Sequence, residues 1–370
     1  FPDVITVTGT NGKGSTVMSI EAVALAQSKR VGTYMSPHLL RYNERVRING
    51  VCVADEDLIE SFEAIEAVRA DVSLTYFEFG TLSAFWLFAR ANLDLVVLEV
   101  GLGGRLDAVN IMDPKVAVIT SIALDHESWL GNTREQVCFE KAGIRRSGVP
   151  LICGDIDPPS NLMILCEESG TPLRLIARDF DVQVCAHWPL DGGVTIQDKT
   201  AQRKTAQKRI WYVPDNALLP ANMACALEAL SSVFEIDQHS AFDVLANLII
   251  PGRRQCLQQS PNVFVDVGHN PHAAISLRKW IESRLKSDQG RVYGLVGMLS
   301  DKDYSGTLRE LINAVDVWQP VSLSGPRGLN GEVLAKILEG EGACVLPFQN
   351  SPVAGLEKIL EQTTDKDTII

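Results

Sequence analysis

The run VTGTNGKGSTV, residues 7–17, constrains the fold of this chain more than any other stretch. A β-rich segment, DVITVTG (3–9), leads into it, and residues 13–30 show the apolar spacing of a helix. A glycine loop between a strand and a helix presents backbone N–H groups to an anion, and the helix dipole favours negative charge there. The sequence therefore predicts a phosphate-binding loop. The plainer alternative is a tight turn with a solvated lysine.

The spelling of this loop departs from the common form G-x-x-x-x-G-K-[ST]. Val7 stands where the first glycine is usual, and Gly14 separates Lys13 from the hydroxyl-bearing residues. Lys13 is expected to reach phosphate oxygens as a point charge, and either Ser15 or Thr16 to hold Mg²⁺ or a phosphate oxygen. The candidate nucleotide-binding residues of the loop are Gly9, Thr10, Asn11, Gly12, Lys13, Gly14, Ser15 and Thr16.

Composition narrows the class of protein. The chain has 370 residues, which suggests about two domains. Its net charge of −12 disfavours a general nucleic-acid binder but allows small anionic substrates, because local basic clusters can hold them. No apolar run reaches the roughly 18 residues of a membrane span. The eight cysteines lack C-x-x-C spacing, so we expect buried, reduced thiols in a cytoplasmic protein.

The first residue is Phe and the last run, DTII, resembles the start of a strand, so both ends are expected to be clipped.

Strands alternate with helices along most of the chain. LDLVVLEVGLGG (93–104) is continuously apolar, as in a parallel sheet buried on both faces, and Asn49-Gly50 predicts a hairpin turn. Residues 172–213 change to short alternating runs, including GGVTIQ (192–197), which we interpret as an antiparallel patch. PGRRQ (251–255) marks a boundary. The other predicted strands are 116–122, 149–155, 262–267, 291–297, 317–323 and 343–348, and the helices are 55–70, 77–91, 221–235, 239–248, 271–286, 304–315, 330–339 and 351–362.

Two polar side chains follow the apolar strands of the first half. Glu99 lies near the end of strand 93–104, and His126 comes after strand 116–122. Ligands of open α/β sheets bind at the carboxyl ends of the strands, beside the predicted phosphate loop. A lone histidine is more often structural, and Arg105 could simply pair with Asp107. Lys141 reads as an ordinary helical lysine with Glu140 as an ion-pair partner.

The second half repeats the pattern of a strand followed by polar residues. In VFVDVGHNPHAA (263–274), Asp266 and His269 follow a strand and precede a helix that begins at Asn270-Pro271. The aspartate is suited to a ribose or a metal and the histidine to a phosphate; the alternative is a capping turn. Arg253, at the domain boundary, could bridge nucleotide phosphates.

Taken together, these motifs resemble the folylpolyglutamate synthase/dihydrofolate synthase family, within the Mur ligase superfamily. The resemblance runs from about residue 6 to residue 303. It rests on motifs that occur in that family's order: TGTNGKGS, SPHL, EVGLGGRLDAVN, ITSIALDH, EKAGI, PGRRQ, DVGHNPHAA and GMLSDKD. It implies an N-terminal P-loop-type domain with a mostly parallel sheet (1–250) and a smaller C-terminal Rossmann-like α/β domain (251–370). The activity implied is ATP-dependent addition of L-glutamate to a carboxylate of dihydropteroate or a folate, through an acyl phosphate.

The resemblance also implies roles for single residues. Lys13 and its loop would hold ATP phosphates; Ser36, Glu99 and His126 would serve Mg²⁺. Lys141 matches a lysine that is carbamylated in the family, which turns a cation into an anionic oxygen donor. The residues implied for the nucleotide beyond the loop are Asn222, Arg253 and Asp266, and His269 would lie near the transferred phosphate or the glutamate; Lys13, Lys141 and His269 would be catalytic.

The chain departs from the family pattern at two positions and leaves alternatives open. Gly268 stands where alanine is commoner, and Arg254 where an aromatic residue is common. The family's pterin-side elements lie partly before the first strand of this chain, so the acceptor is left open. The alternatives are another Mur-type ligase acting on a UDP-sugar peptide, a P-loop kinase or NTPase, and a non-catalytic nucleotide-binding module. The expected partners are small molecules, with no nucleic acid and no membrane, and the expected state is a monomer.

Overall fold

The computed structural model describes residues 2–189, 208–285 and 290–370. These residues form two compact units, Phe1–Ile250 and Pro251–Ile370. Each unit has its own sheet and its own hydrophobic core, so each is described by itself. The predicted α/β fold, with a larger, mostly parallel sheet followed by a smaller α/β unit, is confirmed.

An eight-stranded sheet runs through the first unit in the order β4-β3-β2-β5-β1-β6-β7-β8. Six of its strands are parallel, and the hairpin β3–β4 extends one edge antiparallel. The strands of the unit are β1 Asp3–Thr8, β2 Val31–Tyr34, β3 Val46–Ile48, β4 Val51–Cys52, β5 Leu95–Glu99, β6 Val116–Ile119, β7 Leu151–Cys153, β8 Leu173–Leu175, β9 Phe180–Cys185 and β10 Arg209–Pro214. The helices are α1 Lys13–Ala26, α2 Asp55–Arg69, α3 Tyr76–Arg90, α4 Glu127–Leu130, α5 Arg134–Ala142, α6 Asn161–Ser169, α7 Pro220–Ser231 and α8 Gln238–Ala246.

The central strands are apolar on both faces because helices cover both. On β1, Ile5 and Val7 belong to a core that includes residues of α1, α7 and α8, whereas Val4 belongs to the core that includes residues of α3, α5 and α6. The predicted hairpin is confirmed: Asn49 and Gly50 have φ of 51° and 80°, the left-handed values that such a turn needs. β1 lies between β5 and β6, so the ends of these three strands meet at one edge of the sheet.

The predicted antiparallel patch at 172–213 is wrong for the described residues. β8 joins the main sheet parallel to β7, and β9 pairs with β10 in parallel, from Phe180 opposite Arg209 to Cys185 opposite Pro214. Short alternating runs do not carry strand direction, and the long connection between β9 and β10 allows the crossover that a parallel pair requires. The run GGVTIQ lies outside the described residues.

The second unit contains a five-stranded sheet in the order β11-β12-β15-β13-β14. Its elements are β11 Gln255–Gln258, β12 Asn262–Val265, α9 Pro271–Arg284, β13 Val292–Val296, α10 Tyr304–Leu311, β14 Val317–Pro320, α11 Gly331–Gly340, α12 Pro352–Leu360 and β15 Thr368–Ile369. The final run is a strand, as predicted. The strand predicted at 343–348 is reduced to isolated bridges at Val345 and Gln349, because Pro347 has no N–H for a ladder.

The cysteines follow the expectation only in part. Cys138, Cys153, Cys166 and Cys225 are buried free thiols, and burial raises the pKa of Cys138 and Cys153 to about 12. The exposed Cys256 and Cys344 contradict the prediction of burial, because the absence of close spacing says nothing about depth. None of the described helices has the length and apolar character needed to cross a bilayer.

Candidate active site

The predicted phosphate loop lies between β1 and α1. Gly12 caps the helix with φ of 89°, and Gly9 has φ of 152°. A side chain at Gly9 would collide with the Thr120 hydroxyl, and one at Gly12 would lie 2.5 Å from Asn222 Oδ1. Neither an acidic side chain in the first turn nor a side-chain cap on Gly12 is found here among the described residues. The first amides of α1 are therefore suited to an anion.

The loop is braced by the segment that follows β6. Thr10 N donates to Ser121 O at 2.9 Å, and Asn11 N donates to Ser121 Oγ at 3.0 Å. The Thr10 hydroxyl donates to Ala123 O at 2.8 Å and accepts from Ala123 N at 3.0 Å. The loop thus has a fixed shape set by contacts across more than a hundred residues of sequence.

Lys13 curls over its own loop. Its Nζ donates to Gly9 O at 2.9 Å and to Thr10 O at 3.2 Å. Its charge also acts on the pKa of Asp107 and of Lys141, so the amine lies within electrostatic reach of both. This position fits a point charge that neutralises phosphate oxygens beside the loop.

The structure distinguishes the two hydroxyls that follow Gly14. Thr16 is fully buried, and its Oγ1 has no hydrogen-bond partner among the described residues. Ser15 keeps 6% of its surface exposed and lies one residue nearer the N-terminal end of the helix. Thr16 therefore faces the core, and Ser15 is the hydroxyl that remains available to a ligand.

Glu99 ends β5 directly beside the loop. The residue is 4% exposed, and a side chain at Gly14 would lie 3.8 Å from Glu99 Oε1. Glu99 Oε2 accepts the backbone N–H of Ser36 at 3.0 Å, so the carboxylate also fixes the loop after β2. The sheet order makes this meeting inevitable, because β2, β5 and β1 are neighbours that end at one edge.

His126 lies on the other side of the loop, after β6. Its backbone is left-handed, with φ of 52°, and its ring is exposed. A non-glycine residue in this region is uncommon and strained. Its N–H donates to Asp125 Oδ1 at 2.8 Å, and its Nε2 lies 4.0 Å from the same oxygen. The turn therefore holds an imidazole and a mostly buried carboxylate together.

Lys141, at the end of α5, is the least ordinary charge of the site. It is 3% exposed, and burial, followed by the charge of Lys13, lowers its pKa to about 7 against an opposing effect of Asp125. The expected ion pair with Glu140 is wrong, because Glu140 pairs with Arg105 at 2.9 Å. An amine of this kind is partly neutral near pH 7.

Asn222 reaches the loop from far along the sequence. It lies in the first turn of α7 and is 6% exposed, and its side-chain amide lies against Gly12. Lys13, Ser36, Glu99, His126, Lys141 and Asn222 thus all lie in the first unit, around the phosphate loop.

Arg253, Asp266 and His269 belong to the second unit. Asp266 accepts the N–H of Arg254 at 3.1 Å and that of Gly268 at 2.7 Å, and His269 Nδ1 lies 2.9 Å from Val267 O. Arg253 Nη1 lies 3.4 Å from Gly252 O.

The predicted cap of α9 is present, since Asn270 Oδ1 accepts Ala273 N at 2.9 Å. The arginine at 254 packs against α9: its Nη2 donates to Ser276 Oγ at 2.6 Å, and its guanidinium lies 5.6 Å from the Trp280 ring.

Sequence reasoning passed over two carboxylates of the site. Asp125 Oδ1 lies 4.0 Å from His126 Nε2, and its charge acts on the pKa of Lys141. Asp125 was overlooked although it belongs to the motif ITSIALDH. Asp107 does not pair with Arg105; it accepts the N–H groups of Leu102 at 2.9 Å and Val109 at 3.1 Å. Burial raises the pKa of Asp107, while those amides and the Lys13 charge lower it. The signal available in the sequence was the position of Asp107, shortly after β5 and the three glycines that follow it.

The residues present suit a hard divalent cation. No group of three or more His, Cys, Asp or Glu side chains within 2–189, 208–285 and 290–370 could hold a metal alone. Mg²⁺ needs no such cage, because it takes a few protein oxygens and completes its shell with water and phosphate. The buried carboxylate of Glu99, held against Ser36 and beside the phosphate loop, supplies that kind of donor.

Comparison with known proteins agrees with this geometry. Residues 7–150 match the Mur ligase middle domain, and residues 252–370 match the Mur ligase, glutamate ligase domain. The dihydrofolate synthase/folylpolyglutamate synthase of Escherichia coli K12 is 45% identical over 342 residues, which cover 91% of this chain and 77% of that protein. The enzyme of the same name from Haemophilus influenzae is 38% identical, covering 100% of this chain and 86% of its own.

The chain belongs to the dihydrofolate synthase/folylpolyglutamate synthase family. This membership sets aside a generic P-loop kinase or NTPase. Homologues of this family are ATP-dependent glutamate ligases, and the recognition made from the motifs is confirmed.

Solved structures of family members have the same fold. E. coli FolC in complex with DHPP and ADP is 41% identical with a TM-score of 0.88, covering 100% of this chain and 84% of that one. A bifunctional folylpolyglutamate synthase/dihydrofolate synthase with Mn, AMPPNP and L-glutamate bound is 41% identical with a TM-score of 0.86, covering 100% and 86%. The Yersinia pestis enzyme complexed with AMPPNP and Mn ion has a TM-score of 0.87 at 41% identity and covers 100% and 85%.

Proposed function

We propose that this chain joins L-glutamate to a carboxylate of dihydropteroate, of a reduced folate, or of both, with ATP as the energy source. The observation that carries the proposal is the meeting of the phosphate loop with Lys13, the buried Glu99 and the buried Lys141 at one sheet edge. The family membership supports the same reaction. The glutamate ligase match over residues 252–370 supports a glutamate-binding role for the second unit, and residues 1–250 would bind ATP.

The reaction has two steps, phosphorylation of the carboxylate and formation of the amide. A substrate carboxylate oxygen attacks the γ-phosphorus of ATP, which forms an acyl phosphate and releases ADP. The amine of glutamate then attacks the acyl carbon, phosphate leaves, and the amine loses a proton. Phosphoryl transfer needs mainly positioning and charge neutralisation. The loop amides and Lys13 of this chain are suited to both.

Mg²⁺ would supply charge neutralisation on the phosphates when bound. Ser36, Glu99 and His126 would hold it, and the contact from Ser36 N to Glu99 keeps two of these residues together. The loop amides hold the nucleotide, while the apolar walls of β1 and β5 exclude water beneath it.

Lys141 is proposed to be carbamylated. The Lys141 ammonium first loses a proton to water. The neutral amine then attacks CO₂, a C–N bond forms as one C=O π bond opens, and a second proton leaves, so a cation near Lys13 becomes an anion. This would remove the repulsion between the two lysines and give the metal side an oxygen donor. Burial and a pKa of about 7 support the reaction, because only the neutral amine is nucleophilic. Intact-protein mass spectrometry in bicarbonate, with Lys141→Arg as control, should show the mass of one CO₂ on the wild type alone. A wild-type mass equal to that calculated from its unmodified sequence would contradict the carbamate.

The second unit would complete the chemistry. Arg253 and Asp266 would hold the nucleotide, and His269 would lie near the transferred phosphate or the glutamate. These roles follow from the family motif DVGHNP and from the placement of Asp266 and His269 between β12 and α9. The chain would work as a cytoplasmic monomer. It would not bind nucleic acid, and its net charge of −12 supports that part of the proposal.

The deciding experiment measures ADP release with ATP, Mg²⁺, glutamate and either dihydropteroate or a reduced folate. Release that requires both glutamate and one of these acceptors supports the proposal, and the acceptor that works names the activity. Release with a UDP-sugar peptide instead, or release independent of any acceptor, would overturn it.

A further inference from the structure

Two charged residues outside the site described above bind both backbone polar groups of one residue in the segment that follows β6. Asp155 lies just after β7, and Arg134 begins α5. Ile122 N donates to Asp155 Oδ2 at 2.8 Å, and Arg134 Nε donates to Ile122 O at 2.9 Å. Arg134 Nη2 also donates to Asp155 Oδ2 at 3.2 Å. We call this arrangement of Arg134, Asp155 and Ile122 the Ile122 clamp.

The clamp is itself held in place. Arg134 Nη2 donates to Asp157 O at 2.7 Å, and Asp155 Oδ1 accepts Asp157 N at 3.0 Å. Side-chain exposure is 12% for Asp155 and 38% for Arg134, and Ile122 is 1% exposed. Both carboxylate oxygens of Asp155, and Nε and Nη2 of Arg134, thus bind backbone groups, which is unlike a solvated surface pair.

The gripped segment is the one that shapes the site. On its other side, Ser121 and Ala123 make the hydrogen bonds to Thr10 and Asn11 of the phosphate loop. Directly after it come Asp125 and the strained His126. The clamp therefore opposes the phosphate loop across three residues and sets where the histidine turn begins.

We propose that Arg134 and Asp155 are positioning residues for the metal side of the active site. They fix the 121–126 segment from behind, so that His126 and Asp125 meet the metal and phosphates in one arrangement. Arg134 is on the helix that carries Lys141, so the clamp also ties that helix to the same segment. The inference rests on the proposed function, because it assumes that a divalent cation binds beside Glu99.

The chain offers a matched control at the opposite edge of the same sheet. Arg30 and Asp94 form a similar grip: Arg30 N, Nε and Nη2 donate to the Asp94 carboxylate at 2.8, 3.1 and 2.8 Å. Within the part of the chain that the structure describes, the hydrogen bonds of Arg30 and Asp94 go to each other and to Asp3 and Leu95, not to the site described above. Arg30→Met and Asp94→Asn thus remove the same groups without touching the 121–126 segment.

The experiment uses Arg134→Met, Asp155→Asn and their double variant, with the two control variants, in the full chain. Mn²⁺ binding in the presence of AMPPNP is followed by the electron paramagnetic resonance signal of free Mn²⁺, and metal-free ADP binding is measured by calorimetry. Each clamp variant should weaken Mn²⁺ by about tenfold, as loss of outer-shell support does, while metal-free ADP changes by less than about twofold. The double variant should bind Mn²⁺ no more weakly than the single variant with the lower Mn²⁺ affinity, because Arg134 and Asp155 act as a unit.

Two results would overturn the inference. One is Mn²⁺ affinity within twofold of wild type in folded clamp variants; the other is an equal loss in the Arg30→Met and Asp94→Asn controls. A lower melting temperature with unchanged Mn²⁺ binding reduces the clamp to a structural role. If wild type itself binds no Mn²⁺ with AMPPNP, the proposed function fails first.

Discussion

Charged residues pair differently at the two ends of the strands of the eight-stranded sheet. We call these the starting edge, where the central strands begin, and the finishing edge, where they end. At the edge where β1, β2, β5 and β6 begin, Arg30 pairs with Asp94 at 2.8 Å and Lys115 pairs with Asp3 at 3.0 Å. The Arg30 guanidinium holds the pKa of Asp94 well below its usual range. At the edge where the same strands end, two lysines repel each other beside buried carboxylates, and the pKa of Lys141 falls to about 7.

The difference shows which edge is arranged for stability and which for ligands. Opposite charges on the starting edge pair with each other in solvent and contribute little to stability. The finishing edge carries the buried Glu99 and the buried Lys141 with its lowered pKa, and perturbed buried charges of this kind are typical of functional sites. Substitutions at matched positions on the two edges test this reading.

Lys13→Ala should have the largest effect. It removes the amine that lies over the loop carbonyls of Gly9 and Thr10, so turnover should fall by roughly three orders of magnitude with the fold intact. Steady-state ADP release and circular dichroism check this. Lys115→Ala, on the starting edge, should leave turnover unchanged; retained turnover in Lys13→Ala would remove the lysine from the mechanism.

Lys141→Met should change the pH dependence of stability. The pKa of Lys141 is about 7 in the folded chain, against 10.5 for an unperturbed lysine side chain. The unfolded chain therefore binds one more proton in this window, and folded stability rises with pH. Between about pH 7 and pH 9, wild type should gain on the order of 2 kcal/mol over Lys141→Met. Urea titration in metal-free, CO₂-free buffer measures it. Lys115→Met should match wild type, and parallel curves for wild type and Lys141→Met would contradict the buried amine.

Gly12→Ala should weaken nucleotide binding by about tenfold, because φ of 89° strains an alanine and its Cβ meets the Asn222 amide. Calorimetry with ADP measures the effect. Gly148 has φ of 73° with nothing within 4 Å, so Gly148→Ala reports the strain alone. Equal ADP affinity in both variants would deny a role for the contact with Asn222.

The last comparison concerns the hydroxyls of Ser15 and Thr16, and the smallest effect is expected at Thr16. Thr16→Val removes a buried hydroxyl that has no partner among the described residues. It should leave turnover unchanged and raise the free energy of unfolding by about 1 kcal/mol or less. Ser15→Ala should lower turnover by about tenfold. Reversed outcomes, measured in the same ADP-release assay, would exchange the roles of the two residues.

Sequence reasoning reached the parts of the site that depend on local pattern. Strand, glycine loop and helix placed Lys13, and strand ends placed Glu99 and His126. Helical spacing also puts Thr16 on the face of Ile20 and Val23, so its burial was open to prediction. Asn222 and Lys141 were reachable only through the family resemblance, because their contacts join distant elements. The direction of β9 and β10 and the Ile122 clamp depend on packing that no local pattern records.

The contact between Gly12 and Asn222 bears on how the protein can be divided. The Mur ligase middle domain match ends at residue 150, yet α7 supplies Asn222 and packs Met223, Leu227 and Leu230 in the same core as Val17, Ile20 and Val23 of α1. A fragment cut at 150 would leave that face of α1 in water and its nucleotide loop without its amide neighbour. The smallest useful piece for expression, labelling or screening is thus 1–250. During synthesis, the phosphate loop is made long before α7. It therefore cannot reach its final surroundings until one of the last helices of its own unit has been made.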